Sequence, residues 1–124
     1  MNSKAINTFT LADQQNSRVV IATTGKLLFY PLQQILYLKG QGNYTLVYLL
    51  EGKQVLTLQC LGHYQHALED LGCFRLGASY IINPAHITAI TKRPAPRIIL
   101  STGTAIPIPI RQIKPVQQRF FSSN

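Results

Sequence analysis

Basic side chains, one amide and one phenol carry the chemistry most open to this chain. Lys39, Lys92, Arg93, Arg97, Arg111 and Lys114 fall beside or within short breaks between apolar runs, and Asn43-Tyr44 follows the break Gly40-Gln41-Gly42. Cations at strand ends suit phosphates, whereas an arginine fork or an amide can reach base edges, roles suited to Arg111 and Asn43. The bland alternative is a set of ordinary solvated lysines and arginines.

Catalytic patterns are all incomplete. Gly77-Ala78-Ser79-Tyr80-Ile81 has Ile81 where a nucleophile elbow needs its second glycine for close approach of strand and helix. Gly40-Gln41-Gly42 lies between two strand-like runs, so no helix amino end follows it to hold a pyrophosphate. Only four carboxylates occur, two of them adjacent at Glu69-Asp70, which leaves little for paired acid and base work. His63, His66 and Asp70 share the polar side of a helix with Cys60 just before it, a conceivable zinc set. A solvated polar face is the preferred reading, and no metal or cofactor is expected. His86 stands alone and is taken as a structural or surface histidine.

The elements that must position these residues are mostly strands. The 124 residues, 46% of them hydrophobic, suit one domain with its own core. Residues 1–17 are polar and aperiodic, either an arm or a first edge strand; residues 18–121 form the domain and 122–124 a tail. Val19 to Ala22 and Leu27 to Tyr30 read as strands joined through Gly25, Pro31 to Gln34 as a helical turn at most, and Ile35 to Leu38 as a strand. Tyr44 to Leu50 is apolar on both faces, which predicts a central, sandwiched strand; Glu51-Gly52-Lys53 turns it into a strand over Gln54 to Gln59.

Leu61, Tyr64, Ala67, Leu68 and Leu71 recur at helical spacing, so a helix over 61–71 ends at Gly72. Phe74 to Leu76 and Tyr80 to Ile82 then suit a strand pair broken by Gly77-Ala78-Ser79, and Asn83-Pro84 starts a short helical turn. Ile87 to Thr91 and Arg97 to Leu100 flank the basic loop Lys92 to Pro96. In Thr104 to Ile110 isoleucines alternate with prolines, a pattern that only an edge strand tolerates and that puts the isoleucines on one aliphatic face. Arg111 to Phe121 reads as a short helix with Ile113, Val116 and Phe120 on one face and a regular part delayed by Pro115.

Twelve basic and four acidic residues give a formal charge of +8, which favours a polyanionic partner. No apolar run approaches the roughly 20 residues that span a bilayer, and Met1 to Thr10 lacks a signal-peptide core, so the expected location is the cytoplasm. Cys60 and Cys73 match no close metal spacing; two reduced thiols are the default, a disulfide the alternative.

The run Phe74-Arg75-Leu76, two variable residues, Ser79-Tyr80-Ile81-Ile82-Asn83, then His86-Ile87, resembles the signature of the LytTR-type DNA-binding domain. Gln34 to Leu38 with Gly42-Asn43-Tyr44-Thr45, Thr57-Leu58 to Phe74, and Gly103 with Ile106-Pro107-Ile108 and Arg111 extend the resemblance over about Val19 to Phe120. It implies a mainly β fold, a layered elongated β-sandwich of small antiparallel sheets with one side helix and a short C-terminal helix. It also implies a bacterial transcription regulator whose strand-end loops enter successive major grooves of a tandem repeat in double-stranded DNA. On that analogy Asn43-Tyr44 lies in a first reading loop, Ala78-Ser79 in a second and Arg111 in a third, with Arg111 the leading candidate.

The family usually carries a larger polar or basic residue in the pair before the serine, where this chain has Gly77 and Ala78. It also usually couples the domain to a receiver, which 124 residues do not contain, so regulation would come from elsewhere. The expected function is DNA binding with two protomers on a repeated site. The alternative is an interaction protein of the same fold that pairs with another regulator or a membrane-bound inhibitor.

Overall fold

The computed structural model describes residues 17–121, so the arm predicted for the first residues and the tail 122–124 fall largely outside it; Ser17, at its edge, is buried and its carbonyl accepts the Leu32 N–H at 3.0 Å. The chain divides into two compact units, Met1–Ala85 and His86–Asn124.

In the first unit β1 (Arg18–Thr23) and β2 (Lys26–Pro31) form a hairpin. A five-stranded antiparallel sheet follows, in the order β5-β4-β3-β7-β6, built from β3 (Ile35–Gln41), β4 (Tyr44–Leu49), β5 (Gln54–Thr57), β6 (Phe74–Leu76) and β7 (Tyr80–Ile82). The helix α1 (Leu61–Asp70) connects β5 to β6 and stops at Leu71-Gly72, where Gly72 takes a φ of +98° that a side chain would strain. Leu38 and Ile81 from the sheet meet Leu61, Tyr64 and Leu68 from α1, Leu71 just past its end, and Val19 and Ile21 from β1 in one core. Each such side chain, fully buried, contributes about 1.5 to 3 kcal/mol of transfer free energy.

Two polar nodes tie this unit together. The Tyr64 hydroxyl lies 2.7 Å from the Thr57 hydroxyl and accepts the Ala22 N–H at 3.2 Å, joining α1, β5 and β1 inside the core. Asn83, only 3% exposed, donates its amide to the carbonyls of Leu32 (3.2 Å) and Ile35 (2.8 Å). Its Oδ1 accepts the Ala85 N–H at 3.1 Å, which starts the 3-10 turn Pro84–His86 that the Asn-Pro pair predicts. An amide buried without those partners would cost about 1 to 3 kcal/mol.

The centre of the sheet is β3, whereas the pattern of Tyr44 to Leu50 predicts that place for β4. Thr45, Val47 and Leu49 are buried on one face of β4, but Tyr48 and Leu46 are only half-buried on the other and Tyr44 is 48% exposed. Hydrophobic composition reports that both faces are apolar, not that both are covered. Ala67 is likewise exposed, although its spacing puts it beside the buried stripe of α1. On the less covered sheet face Tyr37 and Tyr48 stack with centroids 4.3 Å apart. Burial, reinforced by the neighbouring Tyr48 and Tyr80, pushes the Tyr37 phenol up to about 12, so it stays neutral.

The second unit is a three-stranded antiparallel sheet in the order β10-β9-β8, from β8 (Ile87–Thr91), β9 (Arg97–Leu100) and β10 (Ala105–Pro107), followed by α2 (Ile113–Phe121). β10 is an edge strand, as its prolines require. Ile106 and Ile108 are buried, yet Ile110 is 87% exposed, because the strand ends at Pro107 and Ile110 opens a 3-10 turn instead of continuing the alternation. α2 starts before Pro115, since a proline in the first turn removes an N–H that has no helical acceptor. Cys60 is exposed and Cys73 buried, both as free thiols.

Candidate nucleic-acid interface

Two loops of the first unit meet at one end of the five-stranded sheet. β3 and β4 are joined by Gly42-Asn43 with Gln41 opposite Tyr44; Gly42, at φ +64°, takes the first central position, which favours glycine in tight hairpins. Asn43 and Tyr44 are exposed. β7 pairs antiparallel with β3, Lys39 opposite Tyr80, so the loop Gly77-Ala78-Ser79 that precedes β7 lies beside the end of β3. The Gly40 N–H donates to the Ser79 carbonyl at 2.8 Å and joins the two directly. Gly40 also permits α1 to sit close, because a Cβ there would come within 3.3 Å of Leu61 Cβ.

The Gly77–Ser79 loop is held from within by Arg75. Its guanidinium donates to the carbonyls of Gly77 (3.1 Å) and Ala78 (3.0 Å) and, at 2.6 Å, to Oε1 of Gln65 on α1. The Gln65 amide in turn donates to Glu69 at 3.0 Å. Three successive carbonyls of the loop are thus engaged, and Gly77 adopts φ +62°. Ala78 and Ser79 are exposed on this braced backbone.

The remaining candidates are distributed over the elements. Lys39 lies within β3, half-buried, rather than in a loop. In the second unit Lys92 and Arg93 are exposed after β8, and Arg97 is the half-buried first residue of β9, paired with Thr91 and Pro107. Arg111 is exposed in the 3-10 turn Ile110–Gln112, and Lys114 is exposed in the first turn of α2. Six of the twelve cations and none of the four acids belong to His86–Asn124. His66 and Asp70 make an exposed contact of 3.7 Å, and among the described residues no group of three or more His, Cys, Asp or Glu is placed to hold a metal ion.

Sequence reasoning missed Arg75 as a brace, Gly40 as a close-approach position and Ile110 as an exposed apolar neighbour of Arg111. The signal for Arg75 was an arginine two residues before a turn rich in small residues, where a five-donor fork can satisfy carbonyls that no strand partner takes.

Small antiparallel sheets with exposed strand-end loops and a basic, acid-free second unit define a β-rich DNA-binding domain. A family model described as the LytTr DNA-binding domain matches residues 25–121, and the chain belongs to that family of transcription regulators, which is non-catalytic. Among solved structures, the chain is similar to the LytTr DNA-binding domain of a methyl-accepting/DNA response regulator from Bacillus cereus. The TM-score is 0.69 at 20% identity, covering 82% of this chain and 94% of that one. No curated protein matches. No helix among the described residues is long and apolar enough to cross a membrane.

Proposed function

We propose that this chain binds double-stranded DNA sequence-selectively through strand-end loops in successive major grooves, two protomers occupying a tandem repeat, as a regulator of transcription in the bacterial cytoplasm. The observation that carries this is the pairing of a braced loop, Gly77–Ser79, with the exposed Asn43-Tyr44 turn at one end of a sheet. Loops whose backbones are already ordered lose little entropy on binding. Asn43 would bond a base edge and Tyr44 would pack on a thymine methyl; the Ser79 hydroxyl would take a phosphate, with Ala78 giving only an apolar contact. Arg111 would fork onto guanine with Ile110 beside it, while Lys39, Lys92, Arg93, Arg97 and Lys114 serve phosphates.

A second reading is favoured by one observation: Gly77 and Ala78 present no side-chain donor where the family usually has one. The fold would then serve as an interaction module for another regulator or a membrane-bound inhibitor.

Selection of bound duplexes from a random pool separates the two. Recovery of a spaced repeat bound at least about a thousandfold more tightly than scrambled DNA supports sequence reading. Steeply salt-dependent binding with no enriched sequence would leave backbone attraction alone and favour the interaction module.

A further inference from the structure

The end of the five-stranded sheet opposite the Asn43-Tyr44 turn, where β4 turns into β5 beside the start of β3, holds a cavity of about 120 Å³. Its apolar lining comes from Leu49, which is buried, and Leu50, which is half-buried, with Tyr30 from β2 beside them. Gln34, Glu51 and Lys53 line it as exposed polar groups. Among the described residues these three side chains take no hydrogen bond or ion pair, although Glu51 and Lys53 are two positions apart.

Two backbone irregularities fall at the same place. The pairing of β3 with β4 shifts register between Ile35 and Tyr37, next to Gln34 and opposite Leu49. Such bulges re-aim side chains and recur beside functional sites. Glu51, at φ +65°, is the one non-glycine residue with positive φ among the described residues. With Gly52 at +75° it forms a turn whose two central residues both need positive φ, a place where Asn-Gly is the ordinary choice. A glutamate is strained there, so the chain carries a carboxylate against the preference of its own turn.

We infer that this cavity is a site for a small free α-amino acid. A carboxylate and an ammonium that share a cavity without pairing match a ligand that carries both charges. Glu51 takes the ammonium of the ligand and Lys53 its carboxylate, while Gln34 and the Tyr30 phenol supply neutral donors and acceptors. A plain anion would also meet Glu51 and a plain cation Lys53, repulsions that a zwitterion offsets. Benzene, with six heavy atoms, fits an apolar cavity of roughly 150 Å³, so this one suits a ligand of the size of alanine. The inference is independent of the DNA reading, because the cavity and the Asn43-Tyr44 turn lie at opposite ends of β3 and β4.

The full chain, labelled with nitrogen-15, is titrated without DNA at constant ionic strength and neutral pH. The probes are L-alanine, propionate, which lacks the ammonium, and L-alaninamide, which lacks the carboxylate. Saturable shifts confined to residues near 30, 34 and 49–53 are expected, with alanine bound about two- to fivefold more tightly than either of the others. Glu51→Gly relieves the turn, so it should raise the midpoint of chemical denaturation while reducing alanine to the affinity of propionate. Loss of binding in a more stable protein cannot come from misfolding. Lys53→Met should reduce alanine to the affinity of alaninamide. No saturable shift with alanine, or alanine affinity unchanged in Glu51→Gly, would overturn the site. Alanine bound no better than propionate or alaninamide would overturn its zwitterion specificity. A denaturation midpoint that fell in Glu51→Gly would overturn the strain argument that singles out this glutamate.

Discussion

The loop Gly77–Ser79 and the loop Lys92–Pro96 both join antiparallel neighbours in a small sheet, yet they are made from different materials. The first has no charge of its own and is ordered by hydrogen bonds to its carbonyls from Arg75 and Gly40. The second carries Lys92 and Arg93 and is stiffened by Pro94 and Pro96, whose rings fix φ without needing a partner. On the proposed function, attraction to a polyanion and an ordered surface for base edges would be supplied by different parts of the chain. Long-range attraction needs only net charge, whereas discrimination needs positions fixed within hydrogen-bonding tolerance.

The largest expected effect breaks the ordered loop. Arg75→Ala removes three charge-assisted hydrogen bonds and should destabilise the fold by about 3 kcal/mol in chemical denaturation. Arg75→Lys should recover little, since an ammonium cannot span two carbonyls and an amide as the fork does. A stability equal to that of the unaltered chain would mean that the loop is ordered by other means.

Next, Arg111→Ala should cost about 1 to 3 kcal/mol of binding to the selected site while denaturation stays unchanged. Equal affinity with and without the arginine removes it from the interface. The double change Lys92→Ala with Arg93→Ala should instead weaken selected and scrambled DNA alike, and lower the slope of log affinity against log salt by about 0.9 per charge. If the loss fell on the selected site alone, the division of labour between the loops would be wrong.

The smallest effect sharpens the comparison inside the first loop. Gly77→His places a side chain at φ +62° and should cost about 1 kcal/mol of stability. Ala78→Arg should be stable within about 0.5 kcal/mol and change base preference in a repeated selection, because position 78 is exposed and free of that backbone demand. An unaltered preference would place the loop off the bases.

The strand pairs around Gly25, Gly52 and Gly77-Ala78-Ser79 are legible in the sequence because turn residues interrupt apolar runs, and α1 because four of its apolar residues recur on one face. The family signature makes the mainly β architecture legible as well. Ile110 and the outer face of β4 are not, since composition records what could be buried and tertiary packing decides what is. The brace by Arg75 is hidden for another reason: it depends on where the Gly77 and Ala78 carbonyls point, and residue types alone do not encode that direction. Positions of the candidate contacts come through only partly. Asn43, Ala78, Ser79, Lys92 and Arg93 fall on turns or loops, and Tyr44 and Arg97 open strands, as their neighbours suggest, while Lys39 lies inside β3.

Because the Gly77–Ser79 loop is gripped by its carbonyls, the hydrogen bonds that shape it do not involve the side chains at 78 and 79. Those positions can therefore drift through many residue types while the fold stays intact. On the function proposed above, single-codon changes at Ala78 would offer a short evolutionary route between operators, taken without passing through an unfolded intermediate sequence.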